Sequence, residues 1–329
     1  MTWPYYLVMA AIALMAVLFP RKRPNAVAWA VAFVVLVVFV GLRHKVGMDW
    51  NNYLVITDRI HDGGAMQALD FAEPGFALLT WLSTRAGWGI YGVNLASAIV
   101  FCLGLFRLCL RTETPWLGLA MATPFLVMVV AMSATRQAIA IGILFWLVAQ
   151  WKEYPLHWRV GLILLATSFH YSACFFLCFS PLDLDARPAV KVGIAVVLGL
   201  AALWVLESTG SAEYYVASYV SEKSELTYSP GAVQHVLLNA APALLLVPTA
   251  FFFSTAAGRV SFYLFPVSIY AVAAVPTLFA HPRVRAIVRM ALACGTVFLL
   301  WFWLTYANSA LAYIPYGNAL FLESGQLHL

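Results

Sequence analysis

A cluster of chemically capable side chains separates two long apolar runs near the start of the chain. Arg43, Asp49, Trp50 and Tyr53 lie close together, with Gly47 between them. A guanidinium can bind an anion, a carboxylate can accept a proton, and flat aromatic rings can stack on sugars. Gly47 permits a tight turn with close backbone approach. Arg43 also fits an interfacial anchor or a structural ion pair with Asp49, and the two rings also fit an aromatic belt.

Glu73 precedes Pro74 at the start of a predicted helix. Proline suits the first helical position, and a glutamate there interacts favourably with the helix dipole, which is a purely structural explanation. The alternative is a carboxylate at the membrane rim that faces the same compartment as Asp49. The two carboxylates then form a candidate acid/base pair.

Arg136 and Gln137 begin another apolar run, with Ser133 or Thr135 as the predicted N-cap. An arginine in the first helical turn opposes the dipole unless an anion lies there. The free N–H groups of a helix start bind anions, and a guanidinium adds a clamp for phosphate or diphosphate. A structural ion pair is the alternative. Arg259 repeats this arrangement, although anchoring at a cytoplasmic helix end also explains it.

His170 and Tyr171 lie inside an apolar run. On a continuous helix His170 shares a face with Cys174 and Cys178, which raises a metal-binding hypothesis. We predict no metal site, because structural zinc sites use four ligands and no second cluster is visible. The remaining explanations are a histidine hydrogen-bonded to a neighbouring helix and a histidine that handles protons or binds hydroxyls in a cavity.

The composition sets these residues in a membrane. Of 329 residues, 63% are hydrophobic and 10% are charged, with a mean hydropathy of +0.86, whereas about a quarter of residues are charged in soluble proteins. The sequence predicts an all-α, polytopic transmembrane helical bundle, a single domain over residues 1–329. We expect about ten or eleven spans, with re-entrant or short outward-facing helices. The predicted spans are 3–19, 26–42, 90–110, 116–132, 136–151, 159–179, 189–206, 233–253, 260–280 and 286–306, and the run 75–86 either spans or re-enters.

The basic residues indicate orientation. The net charge of +5 comes from short clusters beside apolar runs, which is typical of topology signals and not of nucleic-acid binding. The cluster at 21–23 places the first loop in the cytoplasm, so the 43–74 segment faces outside. The acidic loop 207–232 falls inside if 159–179 is one span, and outside if the chain kinks or re-enters near His170.

Two further features concern processing and covalent links. The five cysteines fall inside predicted spans, where cysteine behaves as a small hydrophobe, so we expect no disulfide framework. The first run, 3–19, lacks a preceding basic region and a following small-residue cleavage site. It therefore predicts a retained first span and not a signal peptide.

Four motifs, in this order along the chain, resemble those of the EpsG family of exopolysaccharide-biosynthesis membrane proteins, which belong with the Wzy-like polysaccharide polymerases. The motifs are Arg43…Val46-Gly47-x-Asp49-Trp50-x-x-Tyr53, Glu73-Pro74-Gly75-Phe76, Arg136-Gln137-x-x-Ala140 and Phe169-His170-Tyr171-Ser172. The resemblance covers about residues 1–310. Two positions depart from it: Met48 stands where the family more often has a small polar residue, and His44 where an aromatic residue is common.

The resemblance implies a glycosyltransferase of the bacterial inner membrane, multi-pass, with its active site facing the periplasm or cell exterior. Its donor is a glycan on undecaprenyl or another polyprenyl diphosphate, whose reducing-end sugar joins a hydroxyl of an acceptor unit. The expected partners are this lipid-linked oligosaccharide, membrane lipid and other components of exopolysaccharide export, with no nucleic acid. The sequence shows no nucleotide-binding motif or acidic metal-binding cluster, so we expect no cofactor and a metal-independent reaction.

For this reaction we expect Asp49, His170 and Glu73 to be the catalytic residues. Asp49 ranks first as general base, His170 second, and Glu73 is an orienting partner for Arg43 or the sugar. The expected substrate-binding residues are Arg43, Arg136, Gln137, Trp50, Tyr53, Tyr171 and Arg259.

The alternative function is a transporter, such as a flippase for the same lipid-linked glycans, with Arg136 and His170 along a substrate and proton path. Inverted repeats with broken helices in matching positions are typical of such transporters, and none is visible in the sequence. A non-catalytic O-acetyltransferase-like or scaffolding membrane protein is a further alternative.

Overall fold

The chain folds into a bundle of helices. The computed structural model describes residues 1–63, 67–181, 183–208 and 262–321, and every regular element within these ranges is helical. The predicted span at 233–253 lies outside the described residues. The α-helices are α1 (Trp3–Leu18), α2 (Ala26–Gly41), α3 (Trp50–Asp62), α4 (Pro74–Arg85), α5 (Gly89–Cys109), α6 (Pro115–Ser133), α7 (Thr135–Ala149), α8 (Leu156–Phe169), α9 (Pro188–Ser208), α10 (Phe265–Ala274) and α11 (Pro282–Tyr306).

Three helices, α5, α6 and α11, are long and apolar enough to cross a membrane by length and composition. Six further apolar helices in the described ranges are shorter, so the predicted count of ten or eleven spans stays a prediction. Large apolar side chains such as Leu7, Val27, Val196 and Phe298 are exposed on the outer faces of α1, α2, α9 and α11. Exposed apolar surface on so many helices is typical of a bundle surrounded by hydrocarbon.

Helix α5 is at the centre of the bundle, where it packs against α2, α4 and α7. The closest approach is to α7, at Gly104 and Gly142. A Cβ on Gly104 would overlap the carbonyl group of Gly142. Small residues let two membrane helices approach closely, and this contact holds the middle of α7 against α5.

Polar contacts define one end of the bundle, which we call the site end. Arg43, after α2, donates to Asn94 near the start of α5 at 3.0 Å and to Thr135 at the start of α7 at 2.9 Å. Ser97 of α5 also donates to the carbonyl of Thr135 at 3.0 Å. The end of α2 and the starts of α5 and α7 therefore meet there.

The opposite end, which we call the basic end, is tied together by other charged residues. Lys22 pairs with Glu113 at 2.8 Å, and Arg111, just beyond α5, pairs with Glu153, just beyond α7. The hydroxyl of Thr114 donates to the carbonyl of Ala273 at 2.7 Å. Helix α10 therefore ends at the basic end, and α11 starts there with two arginines in its first turn.

Helix α4 does not cross the bundle. Glu73, just before it, lies 2.7 Å from Arg136 at the site end. Tyr91, soon after it, lies 2.5 Å from His44 at the same end. Both ends of α4 are thus at the site end. Of the two alternatives for 75–86, a tilted span or a re-entrant helix, the structure agrees with a helix that does not cross to the basic end.

The prediction of one continuous span over 159–179 is wrong. Helix α8 ends at Phe169, His170 has an extended backbone, and a 3-10 helix follows over Tyr171–Phe179. Arg159, near the start of α8, is ion-paired with Asp183 beyond the 3-10 helix. The chain therefore reverses at His170 and returns to the basic end, which is the re-entrant alternative considered from sequence.

The same reversal overturns the shared helical face of His170, Cys174 and Cys178, because that face required a continuous α-helix. All five cysteines lie in described residues and are free, as expected. Within the described residues no group of three His, Cys, Asp or Glu side chains is placed to hold a metal ion.

The segment after α11, residues 307–321, lies across the site end, and we call it the C-terminal strap. Its backbone receives hydrogen bonds from Gly47 N–H to the Ala312 carbonyl and from His44 N–H to the Gly317 carbonyl, each 2.9 Å. The Tyr316 hydroxyl donates to the Phe39 carbonyl at 2.8 Å. The strap thereby fixes the loop between α2 and α3.

Candidate active site

Arg136 lies at the second position of α7, in the predicted place at a helix start. Its Nη1 donates to Glu73 Oε2 at 2.7 Å, and 26% of its side chain is exposed. The guanidinium also lies over two rings, 5.9 Å from the centre of Tyr53 and 6.0 Å from that of Phe76. The structural ion pair considered from sequence is present, but it leaves Arg136 partly open at the site end.

The predicted N-cap of this helix is wrong. The N-cap residue is Ala134, with no side-chain capping bond. The Tyr53 hydroxyl accepts instead from the backbone N–H of Arg136 at 3.3 Å. A tyrosine from α3 thus satisfies one of the free N–H groups of the helix start.

Glu73 joins Arg136 to His170. Its Oε1 lies 3.2 Å from His170 Nδ1, while Oε2 accepts from Arg136. The side chain is only 4% exposed. Burial alone raises the pKa of Glu73, but the His170 hydrogen bond and the Arg136 charge outweigh it and hold that pKa well below its usual range. Glu73 therefore stays ionised, and its partner is Arg136 and not the expected Arg43.

His170 is buried at the point where the chain reverses. An ionised carboxylate only accepts hydrogen bonds, so Nδ1 of a neutral His170 carries the proton and the lone pair is on Nε2. The next residue, Tyr171, is half-buried. The Ser172 hydroxyl then lies 2.8 Å from that of Tyr263, which brings the start of α10 beside this turn.

Asp49 is half-buried at the beginning of α3. The Ser133 hydroxyl, at the end of α6, donates to its Oδ2 at 3.3 Å. The Arg136 guanidinium lies 5.9 Å from the centre of the Tyr53 ring, and Asp49 is one helical turn before Tyr53, whose backbone N–H donates to the Asp49 carbonyl at 3.0 Å. The structure thus places a half-buried carboxylate and a partly open guanidinium near the same tyrosine.

Gly47 makes this arrangement possible. Its φ is +106°, a conformation that favours glycine. A Cβ here would overlap the carbonyl of Met132 at the end of α6. The expected tight turn with close backbone approach is confirmed, and it seats Asp49 beside Ser133.

Trp50 and Tyr53 lie on α3, a short helix within the segment 43–74 that the sequence predicts to face outside. The apolar residues Trp50, Tyr53 and Ile60 recur at helical spacing and are buried, while Asn51, Asn52 and other polar residues are exposed. Such a helix lies along a surface, with its apolar face against the bundle.

Arg43 is 1% exposed. Besides Asn94 and Thr135, its guanidinium donates to the carbonyls of Val40 at 2.8 Å and Val46 at 3.3 Å. These bonds join the α2–α3 loop to α5 and α7. The geometry fits a residue that positions the loop, rather than one that contacts substrate directly.

Two further residues, Gln137 and Arg259, are expected from the sequence to bind substrate. Gln137 is buried on α7 next to Arg136, and Arg259 lies outside the described residues. Sequence reasoning missed Asn94, because it is a single polar residue without a local pattern, and it considered Thr135 only as an N-cap and not as a partner of Arg43. It also missed Phe76 as a ring beside Arg136, although that residue is part of the Glu73 motif.

The fold and this site define a helical membrane protein with a buried ionic network at one end. The chain matches the model of the EpsG family over residues 26–245, a shorter range than the expected 1–310. It belongs to the EpsG family. No curated protein and no solved structure matches it.

Proposed function

We propose that this protein is a Wzy-like polysaccharide polymerase. It joins polyprenyl-diphosphate-linked repeat units into exopolysaccharide by transferring the reducing-end sugar of a donor chain to an acceptor hydroxyl. Family membership supports an exopolysaccharide-related role. The observation that carries the proposal is the network of Arg136, Glu73 and His170, beside the half-exposed Asp49.

Arg136 binds the diphosphate of the donor. As the bond between sugar C1 and phosphate oxygen breaks, negative charge grows on the leaving diphosphate, and a fixed guanidinium stabilises it. Arginine offers five N–H donors, of which one goes to Glu73. The ion pair and the two adjacent rings hold the guanidinium in one orientation before substrate arrives.

Asp49 takes the proton of the acceptor hydroxyl while the oxygen of that hydroxyl attacks C1 of the donor sugar and forms the new glycosidic bond. Glu73 is a poor candidate for this step, because its pKa is held low and its oxygens are committed to Arg136 and His170. His170, oriented by Glu73, is the second candidate. The ranking from sequence is kept, with Glu73 as the positioning residue of Arg136 and His170.

The site end faces the periplasm or cell exterior. Lys22, Arg107, Arg111 and Arg159 all lie towards the basic end, and positively charged residues favour the cytoplasmic side. In a cysteine-free background, Asn52→Cys should react with an impermeant maleimide in cells with a permeabilised outer membrane. A matched Lys152→Cys variant should react only after lysis, and the reverse pattern would overturn the orientation.

The decisive assay incubates purified protein with the lipid-linked oligosaccharide and measures chain lengthening. Arg136→Ala should abolish lengthening, and Arg136→Lys should be strongly impaired because lysine lacks the planar fork. Arg111→Ala is the matched control, since it removes an ion-paired arginine at the basic end. Near-normal lengthening by Arg136→Ala at equal protein level would sink the diphosphate assignment. Transfer of the lipid-linked glycan across a vesicle membrane without lengthening would identify a transporter.

Asp49→Asn separates the candidate bases. It should reduce lengthening by about 10²–10⁴-fold, the usual contribution of a general base, while the donor still binds. If Asp49→Asn lengthens chains at the wild-type rate and His170→Ala does not, His170 is the base.

A further inference from the structure

A cavity separate from the Arg136 network opens at the site end. It has a volume of about 660 Å³, within the range of small-molecule binding pockets. Three parts of the chain surround it: the side of α3, the turn between α4 and α5 with the start of α5, and the C-terminal strap. Its walls include Thr57, Asp58, Trp88, Tyr91 and Leu320.

An exposed indole lies at the rim of this cavity, on a turn whose backbone is held in place. Trp88 is 63% exposed, yet its turn is held by two hydrogen bonds. The backbone N–H of Trp88 donates to the Ser83 carbonyl at 2.9 Å, and the Ser83 hydroxyl donates to the Gly89 carbonyl at 2.6 Å. Tyr91 is similarly restrained, because its hydroxyl lies 2.5 Å from His44 Nδ1. Rigid aromatic surfaces lose little entropy on binding a ligand.

Polar groups accompany the two rings. The exposed carboxylate of Asp58 lies on the wall formed by α3, one residue after Thr57. A sugar has apolar C–H faces that pack on rings and hydroxyl edges that donate to carboxylates, so this combination fits a saccharide. A separate crevice between α1 and α2, lined by residues such as Val8, Ile12 and Val31, is wholly apolar by comparison. That crevice is the more apolar of the two surfaces and fits a lipid chain better than the cavity does.

The cavity is connected to the active site through aromatic rings. The Tyr91 ring lies 6.1 Å from that of Trp50, which is on the same face of α3 as Tyr53. Tyr53 in turn lies under the Arg136 guanidinium. The cavity and the Arg136 guanidinium therefore both border α3.

We propose that this cavity binds saccharide residues of the glycan chain whose diphosphate is held at Arg136. The glycan as occupant rests on the proposed function. The saccharide chemistry rests on the rings of Trp88 and Tyr91 and on the Asp58 carboxylate.

The test measures binding of one defined probe, the oligosaccharide repeat unit released from its lipid carrier by mild acid. Protein in lipid nanodiscs is titrated with this probe and followed by calorimetry. Trp88→Ala should weaken binding about threefold to tenfold, the loss expected for one aromatic contact. The double variant Trp88→Ala with Asp58→Asn should bind the probe more weakly still. Trp158→Ala is the matched control, because Trp158 is 58% exposed and lies near the start of α8, at the other end of the bundle.

The same preparations are assayed for chain lengthening, where Trp88→Ala should give shorter products. If the wild type lengthens chains but the Trp88 and Asp58 variants bind the probe as well as it does, the cavity proposal is overturned and the polymerase proposal stands. In another outcome the wild type binds the probe without lengthening chains, while Trp88→Ala binds the probe more weakly. In that case the polymerase proposal fails and the saccharide site stands. Absence of probe binding, or displacement of the probe by phospholipid alone, would also overturn the cavity proposal.

Discussion

Replacing Glu73 with glutamine tests whether the buried ionic network holds the site end together. The change keeps the side-chain volume but removes the charge beside Arg136 and His170. Glutamine has one acceptor oxygen and one donor NH₂ group. Either Arg136 or His170, which both donate to Glu73, then faces a donor instead of an acceptor. Removing one partner of a buried ion pair costs about 3–5 kcal/mol. Because 26% of the Arg136 side chain is exposed, we expect the lower limit, about 3 kcal/mol.

The chain offers a matched control in Glu113→Gln. The Lys22–Glu113 pair has nearly the same length, 2.8 Å, but its side chains are 64% and 49% exposed. Exposed pairs contribute about 0–1 kcal/mol. In a chain of this size about 2 °C in Tm corresponds to 1 kcal/mol. Thermal unfolding in one detergent should therefore show Glu73→Gln lower by about 5 °C or more, and Glu113→Gln lower by about 2 °C or less.

Equal Tm shifts for the two variants would refute the reasoning, because Glu73 is buried between two partners whereas Glu113 is in an exposed pair. A double variant checks the cause. Arg136→Met added to Glu73→Gln should cost less than the sum of the single changes, since neither charge is then left unpaired. Additive losses would mean that Glu73 stabilises the fold through some contact other than Arg136.

Two further predictions concern the loop between α2 and α3. Gly47→Ala should lower Tm and yield sharply, because a Cβ there meets the Met132 carbonyl at an unfavourable φ, whereas the control Gly161→Ala has open space around it. Equal effects of both alanines would contradict this. Burial and the neighbouring Lys45 lower the pKa of His44 in the folded protein. Just below the ordinary histidine pKa of about 6.5, the unfolded chain therefore binds more protons than the folded one. Stability should then be full above that pH and fall below it, and His44→Gln should flatten that part of the Tm–pH profile.

The identity of the polar site residues was predictable, whereas their pairing was not. Arg136, Glu73 and His170 stand out because charged and titratable residues are costly near lipid. Their contacts join residues far apart in sequence and depend on the reversal at His170. An uninterrupted apolar run gives no sign of that reversal, since the same residues read equally well as one long span.

Helix α3 was missed for a different reason. The segment 50–62 is too polar to be a span, and the basic cluster at 21–23 predicts only that it faces outside. The spacing of Trp50, Tyr53, Thr57 and Ile60 is nevertheless that of one buried helical face. The C-terminal strap had no such signal, because its contacts to the α2–α3 loop are mostly made by its backbone.

Arg43 and Arg136 show how two arginines of the same motif set differ in role. The guanidinium of Arg43 is 1% exposed and bonded to backbone and neutral side chains of the protein itself. That of Arg136 is balanced by a carboxylate and partly open. A cation surrounded by neutral acceptors holds a structure together, whereas a cation with a pre-aligned counter-charge and an open side can bind a second anion. Loss of activity on changing Arg43 is therefore expected to follow loss of the folded loop. At Arg136, loss of activity in a variant with unchanged Tm and protein level would report on the proposed diphosphate contact.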